Sequence, residues 1–332
     1  MRTRRVREKA LLVTAVTLAL AAGCSSGGGA ASAPSVEKPD LNVAVVPALD
    51  SAGFFVALYG GLFKAEGLNV HFVPATSSET VIADQAQGKY DITGGNYVSY
   101  IQAQQRGEAD LKIFAEGSVM TPGAQGIYTM PNSPIKNLAD LAGRTVAINA
   151  SRNILYLLAA SVLDEHGISP SRVRFANVPF PGMTSALKSG TVSAAVMPEP
   201  FASGGEETQG IVPLTDLDQG ATTSFPVAGY VVTRQWAEKY PHTLAAFYTA
   251  LEEGQQIADN DRAAVEHAMI DIPAPFGVSA ETAAVLALDS YPVSDGPAGS
   301  VDKVRLQRVV NVMQQFLGFP AFTIDSMLLN GG

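Results

Sequence analysis

The chain has 332 residues, 47% hydrophobic and 16% charged, with 31 Gly, 20 Pro and a single Cys; length and composition predict a globular protein of about two domains, and one cysteine excludes an internal disulfide framework. A formal net charge of −9 at pH 7 excludes a basic patch of the kind that holds nucleic acid, so no nucleic-acid partner is expected.

The first segments in chain order are read as export and attachment. MRTRRVREK carries Arg2, Arg4, Arg5, Arg7 and Lys9 ahead of the apolar run ALLVTAVTLALAA, residues 10–22. A basic start, a greasy centre too short to span a bilayer and small residues at its end predict a signal peptide over residues 1–23. Gly23 and Cys24 then lead into SSGGGAASAPSVEKPD, too small and polar to bury, and residues 24–40 are expected to form a flexible tether. The run into Cys24 resembles the lipobox of bacterial lipoproteins, although Ala21 stands where a larger aliphatic is usual and Leu20 lies one residue earlier. That resemblance implies a lipid on the Cys24 sulfur and anchorage to the outer face of the cell membrane. An ordinary secretory signal with an incidental cysteine is the alternative. Cleavage would remove five of 22 cations and one of 31 anions, leaving a mature charge of −13.

From Leu41 short apolar strands alternate with longer amphipathic segments. LNVAVVP reads as a strand, SAGFFVALYGGLFKAEG as one helix stopped at Gly67, LNVHFVP as a strand, SETVIADQAQG as a helix, YDITGG as a strand, NYVSYIQAQQRG as a helix and LKIFAEG as a strand. Strands joined by helices of this length need crossovers, which predicts a mainly parallel sheet. A second series follows PNSPIKNLADLAG: the strand TVAINA, the helix SRNILYLLAASVLDEHG, the strand VRFANVPF, the helix PGMTSALKSG and the strand VSAAVM. QGIYTM and PVAGYVVT bracket that series as extended links. The last third, QWAEKYPHTLAAFYTALEEGQQIADN, DRAAVEHAMI, SAETAAVLALDS and DKVRLQRVVNVMQQFLGF, is helical in pattern and must cover existing apolar faces.

The succession GLFKAEGLNVHFVP, GKYDITGG, SPIKNLADLAGRTVAIN, GISPSRVRF and ALKSGTVSAAVMPEPF resembles the substrate-binding proteins of ABC importers in the sulfonate, nitrate, taurine and thiamine-precursor group, over about residues 41–235. One departure is Ser193-Ala194, where the family's last strand of the second lobe usually begins Asp-Ala. The resemblance implies an α/β, two-lobed type II periplasmic-binding fold whose cleft closes on a solute by hinge motion. The implied layout is residues 41–129 as the first part of lobe one, 130–225 as lobe two, and 226–332 as a return strand and helical tail on lobe one. The implied partners are a small solute, most readily a sulfonate, taurine or nitrate, and an ABC permease with its separate ATPase. No cofactor and no metal are expected, and the protein is expected to be a monomer. A pyrimidine or other aromatic solute is the alternative ligand class.

In open α/β sheets ligands sit beyond the carboxyl ends of strands, where helices begin. Four strand-to-helix junctions supply candidates: PALDSAGFF (Asp50, Ser51), TGGNYVSY (Gly94, Gly95, Asn96, Tyr97), NASRNILY (Ser151, Arg152, Asn153) and MPEPF (Glu199). Ser51, Asn96 and Ser151 suit helix N-caps, and several helix N-termini meeting at one cleft would offer free N–H groups to an anion. Arg152 opposes the dipole of the helix it opens, so a bound anion would account for it. Glu199, held between Pro198 and Pro200, is read as facing the cleft, where it accepts from a solute or pairs with Arg152, and also as a cap for the helix that follows, two compatible uses. Aromatic residues such as Phe180 and Phe201 are read as core, with stacking on a flat solute as the other use.

Enzyme readings find little support. The chain holds no GxxxxGK[ST], GxSxG or CxxC, and His71, His166, His242 and His267 lack metal-ligand spacing. A pyrimidine synthase of similar fold needs a cysteine-rich iron motif, and menaquinone-pathway enzymes of this architecture would be misplaced by an export signal.

Overall fold

The computed structural model describes residues 36–272, 279–280, 282–284 and 301–329. The signal segment, Cys24, most of the tether and most of the expected helix at SAETAAVLALDS lie outside the described residues.

The first half-molecule opens with strand β1, Asp40–Val45. The chain is already fixed before it: Glu37 accepts hydrogen bonds from the Thr243 amide at 2.8 Å and its hydroxyl at 2.9 Å, so the tether expected to reach residue 40 ends earlier. Helix α1 (Ala52–Tyr59) and the short α2 (Leu62–Ala65) replace the single expected helix. The break falls at Gly60-Gly61, where Gly61 takes φ +78°, a left-handed conformation that ends a helical run and that glycine adopts without strain. Then come β2 (Asn69–Pro74), α3 (Ser78–Ala86), β3 (Ile92–Asn96), α4 (Tyr97–Gln105) and β4 (Leu111–Val119).

Strand β5 (Gln125–Thr129) crosses to the second half, which continues with β6 (Thr145–Ile148), α5 (Ile154–Glu165), β7 (Arg174–Asn177), α6 (Phe180–Lys188), β8 (Ala194–Pro198), α7 (Phe201–Gln209) and β9 (Val212–Asp216). Strand β10 (Pro226–Thr233) returns to the first, followed by α8 (Arg234–Lys239), α9 (Pro241–Asn260), α10 (Arg262–Ile270) and α11 (Lys303–Leu317). Pro241 separates α8 from α9, which the sequence pattern reads as one helix; a proline has no N–H to continue the first helix but suits the first turn of the next.

The two sheets share one plan. Strand order is β2-β1-β3-β10-β4 in the first and β7-β6-β8-β5-β9 in the second. In each, three strands pair in parallel, the fourth is inserted antiparallel, and the fifth pairs antiparallel with it. Four of five strands therefore run the same way, and the inverted one is the strand that crosses between halves. This places Gln125–Thr129 in the second sheet, where the sequence reading left it in lobe one: its antiparallel pairing with β8 extends from Gln125 opposite Pro198 to Tyr128 opposite Ala195. The two crossings run together, with the Met120 amide on the Phe225 carbonyl at 2.8 Å.

Apolar burial explains the helical layers. Six of the eight residues of α1 are buried, as expected of a helix covered on more than one side, and it is enclosed by α9 and α10. The α1–α9 crossing is so close that a Cβ added at Gly254 would lie 2.4 Å from the Gly53 carbonyl oxygen. A second apolar cluster, including Met183, Leu187, Met197 and Ile211, lies under α6 and α7. Helix α11 is not confined to the first half, as the sequence reading has the tail, but packs against both α4 and α5. Its Arg308 donates to the Ala221 carbonyl at 2.9 Å in the return crossing.

Candidate functional site

The sheet plan dictates where a site can form. Helices follow the carboxyl ends of the like-directed strands, and the inverted strands begin at that same edge, so one cleft receives strand ends from both sheets and the starts of both crossing strands. A cavity of about 50 Å³ occupies that position. Its lining takes Val46 and Ala48 after β1, Ser77 and Ser78 after β2, Gly95 and Asn96 at the end of β3, Asn149 after β6, Pro198 at the end of β8, and Gln125 and Val227 from the crossing strands. On the scale on which one water needs about 10–15 Å³, the space is that of about four water molecules.

On the first-half wall, polar groups are locked to one another. The Ser78 hydroxyl oxygen accepts from the Asn96 amide at 2.9 Å and from Asn96 Nδ2 at 3.1 Å. Asn96 Oδ1 in turn accepts from the Ser99 amide at 2.9 Å, an N-cap that satisfies one of the free donors of α4. Gly95 is required beside them: a Cβ there would fall 2.1 Å from Ser78 Oγ. An Asn96→Ala chain should lose about 1–2 kcal/mol of stability, mostly as the lost cap, read as a lower denaturant midpoint with an unchanged slope. An unchanged midpoint would show that the cap contributes nothing.

The opposite wall is built alike. Asn153, buried, accepts from the Tyr156 amide at 3.4 Å as N-cap of α5, and its Nδ2 donates to Asn149 Oδ1 at 2.6 Å. Ser77, by contrast, makes no side-chain cap bond at the start of α3. Gln125 is 3% exposed, and its Oε1 is buried without a hydrogen-bond partner.

Asp50 is the one ionisable side chain in the lining. Burial pushes its carboxyl up to about 7, against a weak opposing hydrogen bond from the Ser51 hydroxyl at 3.4 Å. No described residue forms an ion pair with it.

Of the nine residues expected at the site, Asp50, Gly95, Asn96 and Asn153 line the cavity, and five do not. Ser51 is buried, its hydroxyl 3.4 Å from both the Val46 carbonyl and Asp50 Oδ1. Tyr97 is fully buried, with Gly229 packed against its ring. Ser151 is exposed and donates to Asn177 Oδ1 at 2.8 Å.

Arg152 precedes α5, in a left-handed conformation with φ +58°. Its guanidinium donates to the Leu317 carbonyl at the end of α11, and its own carbonyl accepts from Gln102 at 2.8 Å. The cation therefore sits at the negative end of another helix, where it is favourable without any ligand. Glu199 is also outside the lining. It accepts from the Ser203 amide at 3.1 Å and hydroxyl at 3.0 Å, so the capping reading is the one observed, and burial raises its carboxyl above the ordinary range.

The polar lining residues that sequence reasoning missed are Ser77, Ser78, Gln125 and Asn149. Ser77 and Ser78 occupy a strand-to-helix junction of the same kind as the four read above, so that rule applies to them; Gln125 has no such signal, because its place depends on which sheet receives the crossing strand.

The sequence profile of the NMT1/THI5-like family matches residues 48–264. The chain belongs to that family. Among curated proteins none matches it. Solved structures carry the same fold at low identity. The alkanesulfonate-binding protein SsuA from Xanthomonas axonopodis pv. citri, bound to MOPS, superposes with a TM-score of 0.72 at 16% identity, covering 89% of this chain and 98% of that one. The nitrate-binding protein NrtA from Synechocystis PCC 6803 gives 0.76 at 17%, covering 89% and 85%. The aliphatic sulphonate-binding SsuA from Escherichia coli gives 0.67 at 20%, covering 87% and 97%. The periplasmic-binding fold expected from the sequence is therefore the fold of this family member, and these neighbours are binding proteins. Among the described residues no helix is long and apolar enough to cross a membrane, and no cluster of three His, Cys, Asp or Glu side chains is arranged for a metal.

Proposed function

We propose that this chain is the solute-binding component of an ABC importer. Residues 1–23 direct export, a lipid on Cys24 holds the protein at the outer face of the cell membrane, and the two lobes capture a small solute and present it to a permease whose separate ATPase supplies the energy. The observation that carries this reading is the cavity itself, assembled jointly from strand ends of both sheets with the paired crossings as its hinge. Sulfonate, taurine, nitrate and pyrimidine solutes are the classes the sequence suggests. The support for a simple anion narrows to the helix N-termini, since Arg152 is engaged with Leu317.

Thermal unfolding of the full chain across a panel of such solutes tests the proposal. A true ligand at a hundredfold excess over its Kd should stabilise the folded state by about 2.7 kcal/mol and raise the midpoint accordingly. Midpoints unmoved by every solute, together with undiminished import by cells lacking the protein, would overturn it.

A further inference from the structure

Counting unspent hydrogen-bonding groups in the cavity points to the kind of solute it takes. Asn96 is used on both sides of its amide, by Ser99 and by Ser78, and Asn149 and Asn153 are joined to each other. Beside the uncapped amides at the start of α3 and the Ser77 and Ser78 hydroxyls, what remains are two acceptors. Asp50 presents a carboxylate met by a long contact from Ser51 and by its own amide, and Gln125 presents a buried Oε1 with no donor. No lysine or arginine is among the lining residues. A buried acceptor left without a donor is destabilising, so the occupant that fits is one that brings donors. A bare anion brings only more acceptors and sets its charge against Asp50.

We propose that the cavity selects a small solute carrying a protonated amine, with Asp50 as its counter-ion and Gln125 Oε1 as a second acceptor. The inference rests on the solute-binding reading above and deepens it by naming the group recognised. An acidic end on the same solute is compatible, because the N-terminus of α3, where Ser77 leaves the first amides uncapped, borders the same space.

The electrostatic surroundings of Asp50 agree. Tyr230 from β10 and Tyr100 from α4 both feel its charge, and burial holds both phenols neutral far above physiological pH. The next carboxylate is Glu79 in the first turn of α3, hydrogen-bonded by the Ser99 hydroxyl and felt by Tyr100 and Arg106. No described cation neutralises Asp50, so the charge is left for a ligand to meet. With its carboxyl at about 7, Asp50 is mostly ionised at pH 8 and mostly protonated at pH 6. Amine affinity should then fall about tenfold between those values, because proton and ammonium compete for one carboxylate.

The test is calorimetric titration of the full chain with 2-aminoethanesulfonate and ethanolamine, against ethanesulfonate and nitrate, at pH 8 and pH 6. The pair of sulfonates differs in the amine alone. We expect the amine-bearing probes to bind at least tenfold tighter than their partners at pH 8, to weaken at pH 6, and to lose that preference in Asp50→Asn. Should Asp50→Asn fail to fold, the pH slope of the unsubstituted chain decides the matter. If ethanesulfonate or nitrate binds as tightly as the amines with no such slope, the amine inference fails while the solute-binding reading stands. If no probe binds at either pH, the inference fails, and a wider solute panel that also gives no response removes the reading beneath it.

Discussion

A Gly254→Val chain should lose about 3 kcal/mol of stability or more, enough to lower the thermal midpoint by roughly 5–10 °C. A Cβ at this position would stand 2.4 Å from the Gly53 carbonyl oxygen, 2.7 Å from Ala57 Cβ and 2.9 Å from the Ala57 amide nitrogen. Two of these are backbone atoms of α1, which cannot rotate away, so α9 must separate from α1. The separation reaches further than one contact, since neighbouring Gln255 is buried and donates to the Glu116 carbonyl in β4 at 2.8 Å. Glycine inside a helix costs about 1 kcal/mol relative to alanine by propensity alone, and the close crossing accounts for its use here. Equilibrium unfolding by circular dichroism reads the effect. A midpoint within 2 °C of the unsubstituted chain would mean that the two helices are not held at this distance.

Gly95→Val is expected to have the largest effect on binding. The added carbon atoms would displace Ser78, whose Oγ lies 2.1 Å and Cβ 3.0 Å from the new Cβ position, and Ser78 is the acceptor for both Asn96 nitrogens. The wall of the cavity formed by the starts of α3 and α4 would shift as a unit. For whichever solute raises the unsubstituted midpoint most, affinity should fall by more than about a hundredfold, equivalent to about 2.7 kcal/mol. Calorimetric titration reads this directly, and far-ultraviolet dichroism separates it from global unfolding. Unaltered affinity would remove Gly95 and Ser78 from the binding surface.

Arg152 shows most clearly how a local rule can be sound and its conclusion displaced. A cation at the beginning of a helix requires compensation, and the structure supplies it from Leu317, a residue 165 positions away. Glu199 is the converse case, since one of its readings reached across the cleft to a solute or to Arg152 and the local one, accepting from Ser203, is observed. Asp50, Gly95, Asn96 and Asn153 were legible because a strand followed by a capping residue and an amphipathic run marks the carboxyl edge of a sheet wherever it occurs. Gln125 was not, because no local feature of QGIYT says that it pairs with β8 and not with β4.

Alternation of strands and helices, the glycine and proline stops and the N-cap residues are properties of neighbours along the chain, and the sequence by itself determined from them a two-part α/β protein and part of the edge where its cavity opens. Which sheet each crossing strand enters, how α11 spans α4 and α5, and that Asp50 faces the cavity while Arg152 turns from it were decided by tertiary packing. The physical reason is that backbone preferences act over a few residues, whereas burial and charge compensation depend on groups that folding alone brings within reach.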